Sequence, residues 1–88
     1  MKYQVSVSNE AEKVLDRLDR NAQRRLRARF VQLGDDPFDP RLSAPLTERP
    51  GARKSRVGGW RILFTVDRAA MIVNVATVDT RGQVYKHS

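Results

Sequence analysis

The chain has 88 residues and a net charge of +7, because 17 lysines and arginines outnumber 10 aspartates and glutamates. This length predicts one domain over residues 1–88 with a modest core, so a functional site should be an open surface or groove. The chain has no cysteine and one histidine, which excludes disulfides and a zinc site of the Cys/His type. Its apolar runs, such as Met71–Val73, are far too short to cross a membrane, and no signal-peptide pattern is visible, so we expect a cytoplasmic protein with no membrane partner.

The first third of the chain predicts a strand and two helices. Residues 2–7 alternate apolar and polar side chains, as a half-buried strand does. Ser8 and Asn9 are both suitable helix caps, and Asn9 with Glu12 has the spacing of a capping box. Apolar residues then recur at helical spacing, first from 11 to 18 and again from 22 to 33. The segment 19–21 can cap the second helix, and Gly34 is expected to end it.

The rest of the chain predicts a loop followed by strands. Four prolines between residues 37 and 50 indicate irregular structure over residues 35–50. Three strands are expected at 53–57, 60–67 and 71–78, followed by a short extended tail. The predicted fold class is α+β with the order β-α-α-β-β-β. Two antiparallel helices should cover one face of a mostly antiparallel four-stranded sheet and leave the other face, here called the outer face, uncovered.

The pair Gly58-Gly59 predicts the register of one hairpin. Two glycines between strand-like runs are typical of a two-residue type I′ or II′ turn. Arg56 should then lie opposite Arg61, and Lys54 opposite Leu63. Because side chains alternate between the faces of a strand, the residues Lys54, Arg56 and Arg61 should share the outer face. We call these three residues the cationic row.

Like charges opposite each other destabilise a sheet, and no acidic residue lies between positions 53 and 61. The cationic row therefore favours an anion-binding platform. The alternatives are solvated hairpin cations, or a patch neutralised by an acidic protein partner. Arg81 and Tyr85 follow the last predicted strand at a spacing of four. By themselves they would be read as a surface cation and a ring at the edge of the core.

Two segments resemble a known family, namely residues 54–64, KSRVGGWRILF, and residues 78–85, VDTRGQVY. They are similar to the RelE/ParE superfamily of toxins from bacterial and archaeal toxin–antitoxin modules, and the similarity covers nearly the whole chain. RelE-like members cut mRNA in the ribosomal A site, whereas ParE-like members inhibit DNA gyrase. The resemblance places the RelE-like catalytic set on Lys54, Arg56, Arg61, Arg81 and Tyr85. It therefore implies a RelE-like ribosome-dependent endoribonuclease without metal or other cofactor.

The roles in this set follow from the chemistry of RNA, whose 2′-hydroxyl can attack the adjacent phosphorus and leave a 2′,3′-cyclic phosphate. Arg56 and Arg61 should hold the scissile phosphate, and Arg81 should either stabilise the leaving oxygen or donate to it. Arginine cannot lose its proton, so Arg56 cannot be the base. The base is left open among three residues: Lys54, Tyr85 and His87. Catalysis by Glu48 or Asp79 is not expected.

The implied partners are a cognate antitoxin, mRNA and the ribosome, with operator DNA reached only through the antitoxin. The antitoxin is expected to cover the basic face, because Gly82 interrupts the tail and leaves no C-terminal helix to displace. The cations expected to contact RNA are Arg24, Arg25, Arg27 and Arg53. The competing functions are gyrase inhibition, nucleic-acid binding without catalysis, and corepression by an inactive toxin.

Overall fold

The computed structural model describes residues 2–80 and confirms an α+β fold. Its elements in chain order are β1 Gln4–Val7, α1 Asn9–Asp16, α2 Arg20–Asp35, β2 Ala44–Pro45, β3 Ala52–Val57, β4 Trp60–Asp67 and β5 Ile72–Thr80. Both helices and the four predicted strands are therefore present. No helix in residues 2–80 is long and apolar enough to cross a membrane.

The sheet differs in two respects from the four-stranded sheet that the sequence predicted. It has five strands in the order β1-β5-β4-β3-β2, and β1 pairs with β5 in parallel. The extra strand, β2, pairs Ala44 with Lys54 and Pro45 with Arg53 at the edge of the sheet. An edge strand tolerates the missing N–H of Pro45, which is why a proline-rich segment can still contribute a strand.

The core lies between the two helices and one face of the sheet. Leu15 of α1 and Leu26 of α2 are fully buried, as are Ile62 and Val73 from the sheet. Phe64 is the largest fully buried side chain in the described part of the chain. The helices thus cover the face that carries Ile62 and Phe64, and the cationic row is left on the outer face.

The helix ends differ in detail from the sequence prediction. Ser8 caps α1: its hydroxyl accepts from the Ala11 N–H at 3.0 Å and donates to the Ala76 carbonyl at 2.6 Å. The predicted Asn9–Glu12 capping box is therefore wrong. Asp19 caps α2 as expected, but α2 continues through Gly34 to Asp35. The Gly34 carbonyl accepts from the Tyr3 N–H at 2.8 Å, so β1 satisfies the carbonyl where the sequence predicted a helix stop.

The β3–β4 hairpin has the predicted register. Val57 pairs with Trp60, Arg56 with Arg61 and Lys54 with Leu63. Gly58 has φ +59° while Gly59 does not have a positive φ, and this is the pattern of a type II′ turn. The turn therefore needs glycine at its first position.

Candidate functional site

The outer face brings the cationic row together. Arg56 and Arg61 are directly opposite each other on β3 and β4, and Lys54 lies two residues along β3 on the same face. Lys54 and Arg61 are half-buried, whereas Arg56 is exposed. Within residues 2–80, neither Lys54 nor Arg56 forms an ion pair. Their charges are therefore available to an external anion.

Arg61 differs from the other two because it is held by an acidic residue. Its Nε donates to Asp79 Oδ1 at 3.0 Å and its Nη2 donates to Asp79 Oδ2 at 3.1 Å, a bidentate pair between neighbouring strands. The pair explains how the sheet accommodates Arg56 opposite Arg61: a carboxylate on the other side of Arg61 offsets the like-charge contact. The sequence prediction considered only the residues of β3 and β4 around this hairpin, so it did not include Asp79, which belongs to β5.

An open groove adjoins the cationic row at the edge of β3. It has a volume of about 250 Å³ and its lining contains no acidic residue; we call it the β3 groove, lined by Arg29, Pro40, Arg41, Leu42, Ser43, Ala44, Lys54 and Arg56. Arg29 of α2 enters it from the helix side. Its Nη1 donates to Ser55 Oγ and to the Arg56 carbonyl, both at 2.8 Å. The sequence prediction did not include Arg29 or Arg41 in the site, because their approach to β3 depends on how α2 and the loop before β2 pack against this strand.

Ser55 is the residue that organises the inner wall of this groove. It is only 1% exposed, and its hydroxyl donates to the Leu42 carbonyl at 2.7 Å while accepting from Arg29. A single buried hydroxyl thus connects α2, β3 and the loop before β2. The sequence contains one signal for this role, a serine within a run of strand residues. Because side chains alternate between the two faces of a strand, Ser55 was expected under the helices and was therefore not included in the site.

Arg41 stands at the outer rim of the β3 groove. Its Nη2 lies 2.9 Å from Asp39 Oδ2, and its side chain is 87% exposed. The Arg41 guanidinium and the Arg41 backbone N–H lower the pKa of Asp39, and Asp39 in turn raises the pKa of Arg41. Asp39 therefore stays ionised and offsets part of the charge of Arg41 at neutral pH.

The four residues expected to contact RNA are spread over different surroundings. Arg24 is exposed on α2, and the Arg25 guanidinium lies against the hairpin turn, where a Cβ on Gly58 would be 3.1 Å from Arg25 Nη2. Arg27 pairs with Glu12 of α1 at 2.7 Å. Arg53 lies on the helix side of the sheet, where its Nη2 donates to Ser43 Oγ at 3.0 Å and its guanidinium stands 5.1 Å from the Phe38 ring centre.

The remaining predicted site residues lie outside the described residues. Arg81 and Tyr85 follow β5 directly in sequence, and His87 is near the end of the chain. The predicted tail without a helix falls in the same segment, apart from Asp79 and Thr80, which belong to β5. The catalytic set as a whole and the choice of base stay predictions.

These observations define a small α+β protein that carries a cationic row on an uncovered sheet face. Comparison with known families shows the family to which it belongs. The family model of the ParE toxin of the type II toxin–antitoxin system parDE matches residues 5–85. The chain therefore belongs to this toxin family, within the RelE/ParE superfamily that the two sequence segments resemble, and is a toxin of a type II toxin–antitoxin module.

Solved structures agree with this assignment. A chain of the RelBE2 toxin–antitoxin complex from Mycobacterium tuberculosis shares 25% identity with this protein, covering 92% of this chain and 100% of that one, with a TM-score of 0.79. The archaeal RelE–RelB complex from Pyrococcus horikoshii gives 22% identity, coverage of 94% and 99%, and a TM-score of 0.77. A chain of the intact RelBE complex from E. coli shares 20% identity, covering 89% of this chain and 95% of that one, with a TM-score of 0.77. No curated protein matches the chain.

Proposed function

We propose that this toxin is a ribosome-dependent endoribonuclease that cuts mRNA in the A site. The observation that supports this best is the cationic row, in which Lys54 and Arg56 lack an acidic partner in residues 2–80 and Arg61 lies opposite Arg56. Like charges opposite each other cost stability, and Asp79 offsets only part of this cost at Arg61, so a role in binding an anion accounts for Arg56 at this position. The scissile phosphate of RNA is an anion of suitable size and charge for an open face.

The proposed reaction needs no covalent enzyme intermediate, because RNA carries its own nucleophile. A base takes the proton of the 2′-hydroxyl, whose oxygen attacks phosphorus. The bond to the 5′-oxygen then breaks, an acid gives that oxygen a proton, and a 2′,3′-cyclic phosphate remains. Arg56 and Arg61 stabilise the charge that develops on the phosphoryl oxygens. Lys54, Tyr85 and His87 are the candidates for the base, and Arg81 is the candidate to stabilise the leaving oxygen.

Dependence on the ribosome follows from the weakness of this set as an acid–base system. The only histidine is His87, and the cationic row itself contains two arginines that cannot exchange protons at neutral pH. Such a site gains most of its rate from the positioning of the 2′-hydroxyl in line with the phosphate. The ribosome supplies that positioning, while Arg24, Arg25 and Arg27 of α2 contact rRNA phosphates.

The antitoxin is the second proposed partner. Each of the three similar structures is a complex of toxin and antitoxin. A cognate antitoxin with an acidic segment would cover the cationic row and inhibit cleavage by exclusion. Operator DNA would then be bound by the antitoxin and reached by this chain only through it.

The test is to map mRNA 5′ ends in ribosomes programmed with a defined message, with and without toxin. Cleavage at a codon in the A site is expected for the wild type and is expected to be lost in Arg56→Gln and Arg61→Gln. Arg49→Gln is the matched control, since it removes the same charge from an exposed loop outside the face. Equal cleavage of ribosome-bound and naked mRNA would contradict the dependence on the ribosome.

Gyrase inhibition is the second candidate function, and two observations favour it. The matching family model is that of ParE toxins, and Asp79 already neutralises part of the charge of Arg61. A supercoiling assay with purified gyrase separates the two candidates. Inhibition that survives Arg56→Gln, with no cleavage on ribosomes, would replace the endoribonuclease proposal. Salt-sensitive RNA binding with neither activity would indicate a non-catalytic binding module or corepressor.

A further inference from the structure

The β3 groove contains more positive charge than the cut phosphate requires. Arg29 and Arg41 lie outside the cationic row, yet they line the same groove as Lys54 and Arg56. These side chains come from α2, the loop before β2, and β3, so no single element accounts for their convergence. No acidic side chain lines the groove. The arrangement therefore provides a place for a second anion beside the one that is cut.

Arg29 is held in place before any ligand arrives. Its Nη1 is fixed by Ser55 and the Arg56 carbonyl, and its Nε donates to Gln32 Oε1 at 2.9 Å. Among residues 2–80, its Nη2 has no hydrogen-bond partner and the side chain has no acidic partner. A guanidinium fixed by neutral acceptors keeps its full charge and loses little entropy on binding. Such a group is suited to bind a phosphate.

The same contact argues against an extended peptide as the occupant. Val57 and Trp60 flank the two-residue turn and are hydrogen-bonded to each other, so the next pair, Arg56 and Arg61, is a non-hydrogen-bonded pair. The backbone N–H and C=O of Arg56 therefore point away from β4, toward the free edge of β3. The Arg56 carbonyl is thus the acceptor that an added strand would need, and Arg29 already occupies it. β2 covers the neighbouring positions Arg53 and Lys54. A ligand that needs charge but no backbone pairing fits this edge better than a strand does.

We propose that the β3 groove binds a backbone phosphate of single-stranded RNA next to the scissile one, with Arg29 as its principal contact and Arg41 at its rim. This inference rests on the proposed function, because it takes Arg56 and Arg61 to hold the scissile phosphate. Side chains two residues apart on one strand face are about 7 Å apart. Lys54 therefore lies one such step along β3 from Arg56, and Arg29 reaches the strand edge between them, at Ser55 Oγ and the Arg56 carbonyl. The groove thus continues the path of the RNA backbone beyond the scissile phosphate.

A binding measurement tests the groove independently of cleavage. The probe is a fluorescein-labelled hexanucleotide RNA, titrated with the full chain at several salt concentrations. Arg29→Gln should weaken binding roughly tenfold, as expected for the loss of one charge-assisted hydrogen bond. It should also reduce the slope of log affinity against log salt by about 0.7, the value for one phosphate contact on a single strand. Arg41→Gln should act in the same direction with a smaller effect, because Asp39 already offsets its charge.

The matched control is Arg49→Gln, which removes one charge from an exposed site outside the groove. It should leave the salt slope unchanged. Equal slopes for all three variants would show that only net charge matters and would overturn the inference. Arg41→Gln decides the matter if Arg29→Gln fails to fold, since the Arg41 side chain is almost fully exposed. A glutamate-rich peptide of equal charge serves as the competing probe. Tighter binding of this peptide than of the RNA, together with a larger loss of its affinity in Arg29→Gln, would also overturn the inference.

Cleavage on programmed ribosomes supplies the second arm. A message with one neutral methylphosphonate linkage beside the cut site should raise the half-saturating toxin concentration for the wild type and not for Arg29→Gln, with an unchanged maximal rate. A fall in maximal rate alone would show that Arg29 only positions Arg56, and would overturn the inference. If no protein cuts but the salt slopes still differ as expected, the endoribonuclease proposal fails and the groove stands. If cleavage is normal and the slopes are equal, the groove fails and the proposed function stands.

Discussion

The Arg61–Asp79 pair should contribute more to stability than a shorter ion pair elsewhere in the same molecule. Arg61 and Asp79 are bonded at 3.0 and 3.1 Å and their side chains are 21% and 33% exposed. Arg27 and Glu12 are 2.7 Å apart, but 47% and 42% exposed. Exposed pairs contribute about 0.2–1 kcal/mol, whereas breaking a fully buried pair costs about 3–5 kcal/mol.

The half-buried pair lies between these limits, so we expect a coupling free energy of about 1–2 kcal/mol between Arg61 and Asp79. The assay is a double-mutant cycle in urea, with Asp79→Asn, Arg61→Met and the double variant. Asp79→Asn alone should lower Tm by about 4–16 °C if it loses this coupling, since 1 kcal/mol corresponds to roughly 4–8 °C in a domain of this size.

A parallel cycle on Glu12 and Arg27 provides the comparison, and its coupling should also weaken more in high salt. The reasoning would be refuted by a coupling for the Arg61–Asp79 pair within the additivity error of about 0.3–0.5 kcal/mol, or by a larger value for the exposed pair. Either result would mean that burial does not decide the strength of these pairs.

Three further changes test other parts of the structure. Gly58→Ala should destabilise by about 1–2 kcal/mol, because its positive φ disfavours a Cβ and that atom would lie only 3.1 Å from Arg25 Nη2. Ser55→Ala should cost about 1–3 kcal/mol, because it removes the donor to the Leu42 carbonyl and one of the acceptors of the Arg29 guanidinium. Arg56→Thr should raise the free energy of unfolding by about 0.2–1 kcal/mol by removing a like-charge contact, while it lowers toxicity on induction.

Each of these has its own control and measurement. Gly59→Ala is matched to Gly58→Ala, since nothing lies within 4 Å of its Cβ position, and urea unfolding should show a smaller loss. Thr47→Ala removes an exposed hydroxyl and should be nearly neutral where Ser55→Ala is not. For Arg56→Thr, stability and growth inhibition are measured on the same variant. A loss of stability together with full toxicity would contradict the view that Arg56 is kept for function.

The sequence by itself determined the local structure and the position of the cationic row. Apolar spacing predicted α1 and α2, and the glycine pair predicted the pairing of Arg56 with Arg61, because a two-residue turn leaves no other register. The two sequence segments also identified the superfamily. These features depend on neighbours along the chain, so they can be read without knowing how distant segments pack.

Only the tertiary structure decided which charges remain available. Simple alternation from Val73 and Val75 would place Asp79 under the helices, but an irregularity between β4 and β5 at Leu63 and Phe64 shifts the pattern and brings Asp79 beside Arg61 on the outer face. The β3 groove likewise depends on Arg29 reaching the strand edge from α2, 27 residues before Arg56. The local sequence predicts where cations lie along a strand. Which acid or carbonyl meets them depends on strand order, bulges and helix packing, and these are settled by contacts between distant parts of the chain.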